Sequence, residues 1–133
     1  MRIGIVGSRT YENKRKIKET IFKLKNKFPQ ELVIVSGGAK DGADKYVKKY
    51  ALELECQYLE FNPAHTIKNL YSALHENYYN QPYNVKNFFT RNTMIAKYCD
   101  IVIGFVSDNG ESKGTDHTLS EAKKYNKKVV VIS

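Results

Sequence analysis

Cysteine and histidine are scarce in this 133-residue sequence, and no long apolar run occurs in it. The two cysteines, Cys56 and Cys99, each sit in or beside an apolar stretch. They read as reduced, buried thiols that pack as small hydrophobes. The three histidines, His65, His75 and His117, are scattered and form no ligand pair at helical spacing, so no metal site is expected. No cofactor is expected either. No apolar run approaches the roughly 20 residues that cross a bilayer, so no membrane partner is expected. The N-terminus lacks a basic segment followed by a long apolar stretch and a small-residue cleavage site. Without such a signal, the expected location is the cytoplasm. Arginine is also rare, supplying only four of the 22 basic residues.

What is present is ordinary for a globular protein, with 41% apolar and 27% charged residues. That composition argues against disorder. The length predicts one domain over residues 1–133 with a real hydrophobic core. A formal net charge of +8 invites a nucleic-acid partner. However, most of the lysines fall in predicted helices as solvated faces, so this partner is the less favoured one. The arginines are more telling, because Arg9 and Arg91 stand beside glycine-bearing or polar motifs. Their planar fork suits phosphate or carboxylate.

Apolar runs and helical periodicities alternate along the chain. Runs at residues 3–6, 32–35, 58–61, 101–106 and 129–132 read as strands. Ile17, Ile21, Leu24 and Phe28 share one face of a helix that stops at Pro29. Val47, Ala51 and Leu54 mark a second helix, and a third is expected from about Val85 to Tyr98. The spacing of Ile67, Leu70, Tyr71 and Leu74 allows a further helix in the middle. A loop rich in tyrosine and asparagine follows it, over residues 78–84. A last helix is expected over 115–126, with Leu119 and Ala122 inward. The alternation predicts an α/β fold: a Rossmann-like, doubly wound and mostly parallel sheet of about five strands, with helices on both faces.

Glycine-bearing turns follow three of the strands. Gly7-Ser8-Arg9 closes the first. Ser36-Gly37-Gly38-Ala39, continuing to Gly42-Ala43-Asp44, closes the second. A polar loop over 108–114, ending Lys113-Gly114-Thr115, follows the fourth. Glycine lets backbone approach a ligand closely, and a helix N-terminus after such a turn favours an anion. In a doubly wound sheet these turns converge at the carboxyl ends of the strands. Asp44 is placed to cap the helix after the second turn or to accept a ribose hydroxyl. The second turn lacks the Gly-Lys-Ser/Thr ending of a P-loop and the spacing of a dinucleotide fingerprint.

Taken in order, Gly7-Ser8-Arg9, Ser36-Gly37-Gly38-Ala39, Gly42-Ala43-Asp44, Arg91-Asn92 with Met94, Asp100, and Gly114-Thr115 with Ala122 resemble the SLOG superfamily. The likeness is to its small YspA/YpsA-like (cpYpsA-related) branch. It implies a Rossmann-like fold that binds a nucleotide or nucleotide-derived ligand. More distant relatives include LOG phosphoribohydrolases, DNA-processing proteins of the DprA type, and sensor domains that bind cyclic or ADP-ribose-derived signals. The LOG hydrolases carry a double glycine before the threonine, and glutamates three and four residues after it. Here those places hold Ser112-Lys113-Gly114, Thr118 and Leu119.

The expected function is therefore binding of a nucleotide or ADP-ribose-like small molecule, for sensing or sequestration of a signalling nucleotide. The expected ligand-binding residues are Gly7, Ser8, Arg9, Gly37, Gly38, Ala39, Asp44, Arg91, Asn92, Gly114 and Thr115. The alternatives are an N-glycosidic nucleoside monophosphate hydrolase using Arg91 with Asp116 or Glu121, and DprA-like DNA binding. A homo-oligomer is expected, with the tyrosine-rich segment 78–83 as interface or as a flap over the site.

Overall fold

The computed structural model of the chain describes residues 1–107 and 112–133. Five runs form strands, all but the third rich in β-branched residues: β1 (Arg2–Gly7), β2 (Val33–Ser36), β3 (Gln57–Glu60), β4 (Ile101–Phe105) and β5 (Lys128–Ile132). All pair in parallel, in the order β3-β2-β1-β4-β5. Four helices connect them: α1 (Lys14–Lys27), α2 (Ala43–Glu53), α3 (Lys86–Tyr98) and α4 (Lys113–Lys124). The Rossmann-like α/β fold is the one expected.

Side chains alternate across the strands and divide the interior into two cores. Ile3, Ile5, Ile34, Ile103 and Phe105 meet Ile17 and Ile21 of α1 and Val47 and Ala51 of α2. On the opposite face Val6, Val35 and Val102 meet Ile95 and Ala96 of α3 and Leu119 and Ala122 of α4. Helices thus cover both faces, and parallel strands require that cover. Cys99 lies in the second core, where burial pushes its thiol up to about 12. Cys56 is half-buried and also raised by burial, so both thiols are protonated at neutral pH.

The helix ends follow local chemistry. Asn13 accepts from the Lys16 N–H at 3.2 Å and starts α1. Lys25 and Lys27 in the last turn complement the helix dipole. Ser112 caps α4 by accepting from the Thr115 N–H at 3.3 Å. The cap starts α4 two residues before the expected position, so Gly114 lies inside the first helical turn rather than in the loop. The rest of that expected loop, residues 108–111, lies outside the described residues. Asp100, just before β4, accepts from the Arg2 N–H at 2.8 Å and ties β4 to the start of β1.

The expected helix around Ile67–Leu74 does not form. Ile67 and Leu70 are exposed. Asn69 and Ser72 bond each other's neighbourhood instead, with Asn69 Oδ1 accepting from the Tyr71 N–H and Ser72 Oγ from the Asn69 N–H. The Tyr71 carbonyl and the Ala73 N–H pair with Glu60, so this segment runs beside β3. Further on, Glu76–Tyr78 makes one 3₁₀ turn, and Tyr79 is buried beneath it.

The strand order reverses between β1 and β4, which places a crevice beyond their carboxyl ends. Two connections press together there. The Ser8 carbonyl accepts from the Ala43 N–H at 3.0 Å and from the Tyr11 N–H at 3.2 Å, while the Ser8 N–H donates to Phe105 O at 3.3 Å. Gly42 turns at φ 68°, and any Cβ there would collide with the backbone of Ser8 and Arg9. Gly42→Ala therefore combines an unfavourable backbone conformation with a clash. It should lower the unfolding free energy by about 2–4 kcal/mol in urea denaturation, with the m-value unchanged.

Candidate functional site

A cleft of about 410 Å³ opens over the strand ends at this reversal point. Its floor is Val6 and Gly7, and its walls are the β1–α1 and β2–α2 turns, one face of α3 and the first turn of α4. Gly7, Ser8, Arg9, Gly37, Ala39, Asp44, Arg91, Asn92, Gly114 and Thr115 all line it. Gly38 lines a smaller neighbouring cavity of about 280 Å³. Asp116 and Glu121 are not among the lining residues of either. Glu121 instead accepts a 2.7 Å hydrogen bond from the Thr93 hydroxyl, which holds its carboxyl below the usual range. A carboxylate held ionised in this way is a poor proton donor to a leaving base.

Arg91 reaches from α3 under the second turn. Its Nη1 donates to Gly37 O at 2.6 Å and to Phe61 O at 3.3 Å, and its Nε donates to Asn92 Oδ1 at 2.8 Å. A Cβ at position 37 would stand 2.5 Å from Nη1, so only glycine admits the guanidinium. These bonds leave the two Nη2 N–H groups without a partner among the described residues. Burial pulls the guanidinium below its ordinary value, and the nearby Asp44 opposes that.

Asp44 caps no helix. The N-cap of α2 is Gly42, and no side chain bonds there. Asp44 reaches back and accepts from the Ala39 N–H at 3.0 Å, which closes the loop on itself. Burial raises its carboxyl above the ordinary range, while the Ala39 N–H and Arg91 pull it down.

Several amides of the first two turns are engaged. The Gly38 N–H donates to Ser36 Oγ at 3.1 Å, and the Thr10 N–H to Ser8 Oγ at 3.1 Å. Ser8 Oγ also pairs with the Thr10 hydroxyl at 2.8 Å. The start of α4 differs. Its Ser112 cap accounts for the N–H groups of Thr115 and Asp116 and leaves those of Lys113 and Gly114 without a partner among the described residues. Asn92 Nδ2 donates to Gly114 O at 3.3 Å and fixes this turn against α3. Donors for an anion are thus the α4 N-terminus, Lys113, the exposed Arg9 and Nη2 of Arg91.

Sequence reasoning missed the support behind the second turn. Glu60, 1% exposed, accepts from Tyr58 Oη at 2.7 Å, Asn69 Nδ2 at 2.8 Å and Asn62 Nδ2 at 2.9 Å, with Lys48 Nζ at 3.5 Å. Burial alone would raise its carboxyl, but these partners outweigh burial and hold it below the usual range. Gly38, at φ 73°, rests on this group, where a Cβ would stand 2.5 Å from Asn62 Nδ2. The available signal was a lone glutamate at the carboxyl end of an otherwise apolar strand. Phe88, which lines both cavities, was missed as well.

The fold and this cleft define the class: a Rossmann-like α/β protein with a crevice, lined by glycine turns and basic side chains, at the reversal point of its sheet. Residues 1–66 match the model of the YspA, cpYpsA-related SLOG family, so the SLOG likeness read from the motifs is shown. No curated protein matches the sequence. Among solved structures, DNA processing protein A from Helicobacter pylori, described for its single-stranded DNA binding mode, superposes with a TM-score of 0.73 at 20% identity. The match covers 100% of this chain and 65% of that one. The molybdenum cofactor binding protein of Rippkaea orientalis gives a TM-score of 0.69 at 20% identity, covering 98% and 74%. The molybdenum cofactor carrier protein of Chlamydomonas reinhardtii gives 0.65 at 20%, also covering 98% and 74%. At such identities the likeness shows the fold.

Because the native Glu60 carboxyl sits below its unfolded value, it stabilises the fold above the ordinary glutamate range and loses that contribution as pH falls through its folded value. Glu60→Gln should cost about 1–3 kcal/mol at pH 7. The gap from the parent should narrow in urea denaturation at about pH 3.

Proposed function

We propose that the cleft binds a nucleotide or nucleotide-derived anion and acts as a binding module rather than as a glycosidic hydrolase. One observation carries this reading: the Lys113 and Gly114 N–H groups at the start of α4, without a partner among the described residues, share a single 410 Å³ cleft with the side chains of Arg9, Arg91 and Lys113. Such a volume is that of a small-molecule site. The apolar part of the lining, Val85, Phe88, Phe89 and Ile95, offers a surface for a base or sugar beside the anion. The phosphate is assigned to the α4 N-terminus, where amides and dipole both favour negative charge. Asp44 is assigned to a ribose hydroxyl, because a carboxylate beside a phosphate repels it.

The chemistry of the lining favours binding over hydrolysis. Asp44 is the sole carboxylate lining this cleft among the described residues. Its oxygen already holds the Ala39 N–H. The solved neighbours' named ligands, single-stranded DNA and molybdenum cofactor, add support for ligand capture at this kind of fold.

Thermal-shift and calorimetric titrations with AMP, ADP-ribose and a short single-stranded oligonucleotide test the reading. AMP or ADP-ribose should raise the melting temperature. Arg9→Ala, at an exposed position, should weaken AMP about tenfold without changing the melting temperature of the free protein. Release of adenine from AMP would overturn the binding-only reading. Binding confined to the oligonucleotide, and abolished by salt, would move the function to nucleic acid.

A further inference from the structure

The 280 Å³ cavity beside the main cleft is separated from it only by a shared wall. Arg9, Gly37, Ala39, Phe88 and Arg91 line both. The far side of the smaller cavity is formed by other residues, including Lys40, Asp41, Pro63, His65 and Thr66. Pro63, His65 and Thr66 lie outside the glycine motifs.

The wall carries its charge in one place. The Arg9 guanidinium stands 5.7 Å from the centre of the Phe88 ring, and that of Arg91 stands 5.9 Å from it. Two cations over one aromatic ring suit a second phosphate linked to the one at the α4 N-terminus. Beyond the bridge the surface turns aromatic. His65 meets Phe88 edge-on at 5.0 Å and Tyr83 at 4.7 Å. Asn87 Nδ2 lies 3.0 Å from His65 Nδ1 and holds the imidazole in place. Lys40 adds a cation at the rim, and Asp41 is the one acid there among the described residues. An aromatic wall with an adjoining cation is suited to a nucleobase.

We propose that the smaller cavity is a second subsite, taking the second base of a ligand made of two nucleosides joined through a diphosphate. The bridge runs along the shared wall, with the first nucleotide's phosphate at the α4 N-terminus and the second phosphate beside Phe88 under Arg9 and Arg91. This assignment rests on the main cleft holding the first nucleotide. Linking the two halves makes the second contact intramolecular, so the whole ligand gains affinity over either half.

Calorimetric titration of the full chain with AMP, ADP and diadenosine diphosphate tests it. Diadenosine diphosphate should bind about tenfold or more tighter than AMP, with ADP between them. In His65→Ala and in Lys40→Ala that ratio should fall to about two or less, through lost affinity for diadenosine diphosphate. Lys40 is exposed, so its variant tests the subsite without disturbing the interior. Equal affinity for AMP and diadenosine diphosphate overturns the subsite and leaves the nucleotide reading standing. So does an advantage that survives in both variants. ADP-glucose binding as tightly as diadenosine diphosphate overturns the assignment to a base. No binding of any probe by folded protein overturns both the nucleotide reading and the subsite.

Discussion

Arg91 extends from α3 beneath the second glycine turn and donates to the carbonyls of Gly37 and Phe61, at the ends of β2 and β3. A cation taken out of water needs partners in the protein, and a lost partner would leave it uncompensated. That demand fixes much around it. Position 37 has to lack a side chain, Asp44 has to stand close, and α3 has to lie where its guanidinium meets both carbonyls. The cleft is the space that remains once these groups are placed.

The same demand explains why the conspicuous glycine turn is not itself an open cradle. Ser36 and Asp44 take up the N–H groups of Gly38 and Ala39, and the buried Glu60 network supports the turn from behind. A loop satisfied in this way is rigid without a ligand, which lowers the ordering cost of binding. Across the crevice Ser112 caps α4, and the N–H groups of Lys113 and Gly114 have no partner among the described residues. One wall of the cleft is a preformed scaffold, and the opposite wall carries the donors.

The architecture was legible because it depends on local pattern. Alternating apolar runs and 3.6-residue periodicities placed the five strands and four helices to within a few residues, and the first two glycine turns follow their strands as expected. The middle segment was illegible for a related reason. Ile67, Leu70, Tyr71 and Leu74 have helical spacing, but Asn69 and Ser72 bond the backbone locally and Glu60 offers strand-like pairing. Side-chain competition of this kind leaves no trace in an apolar period.

For the site, residue types alone determined that the chain has anion-suited turns, a rare arginine at each of two motifs, and no glutamates where hydrolytic relatives carry them. They also determined that these features meet, because a parallel doubly wound sheet brings its strand ends to one edge. Only the tertiary structure decided what each group is free to do. It showed Asp44 closing a loop instead of capping a helix, Arg91 half spent on carbonyls, and Glu121 bonded to Thr93 away from the cleft lining. It also joined Phe88 and His65, which are 23 positions apart, into one wall. Hydrogen-bond occupancy and burial are properties of contacts between distant segments. Sequence patterns therefore identify which donors exist, and packing decides which of them remain available to a ligand.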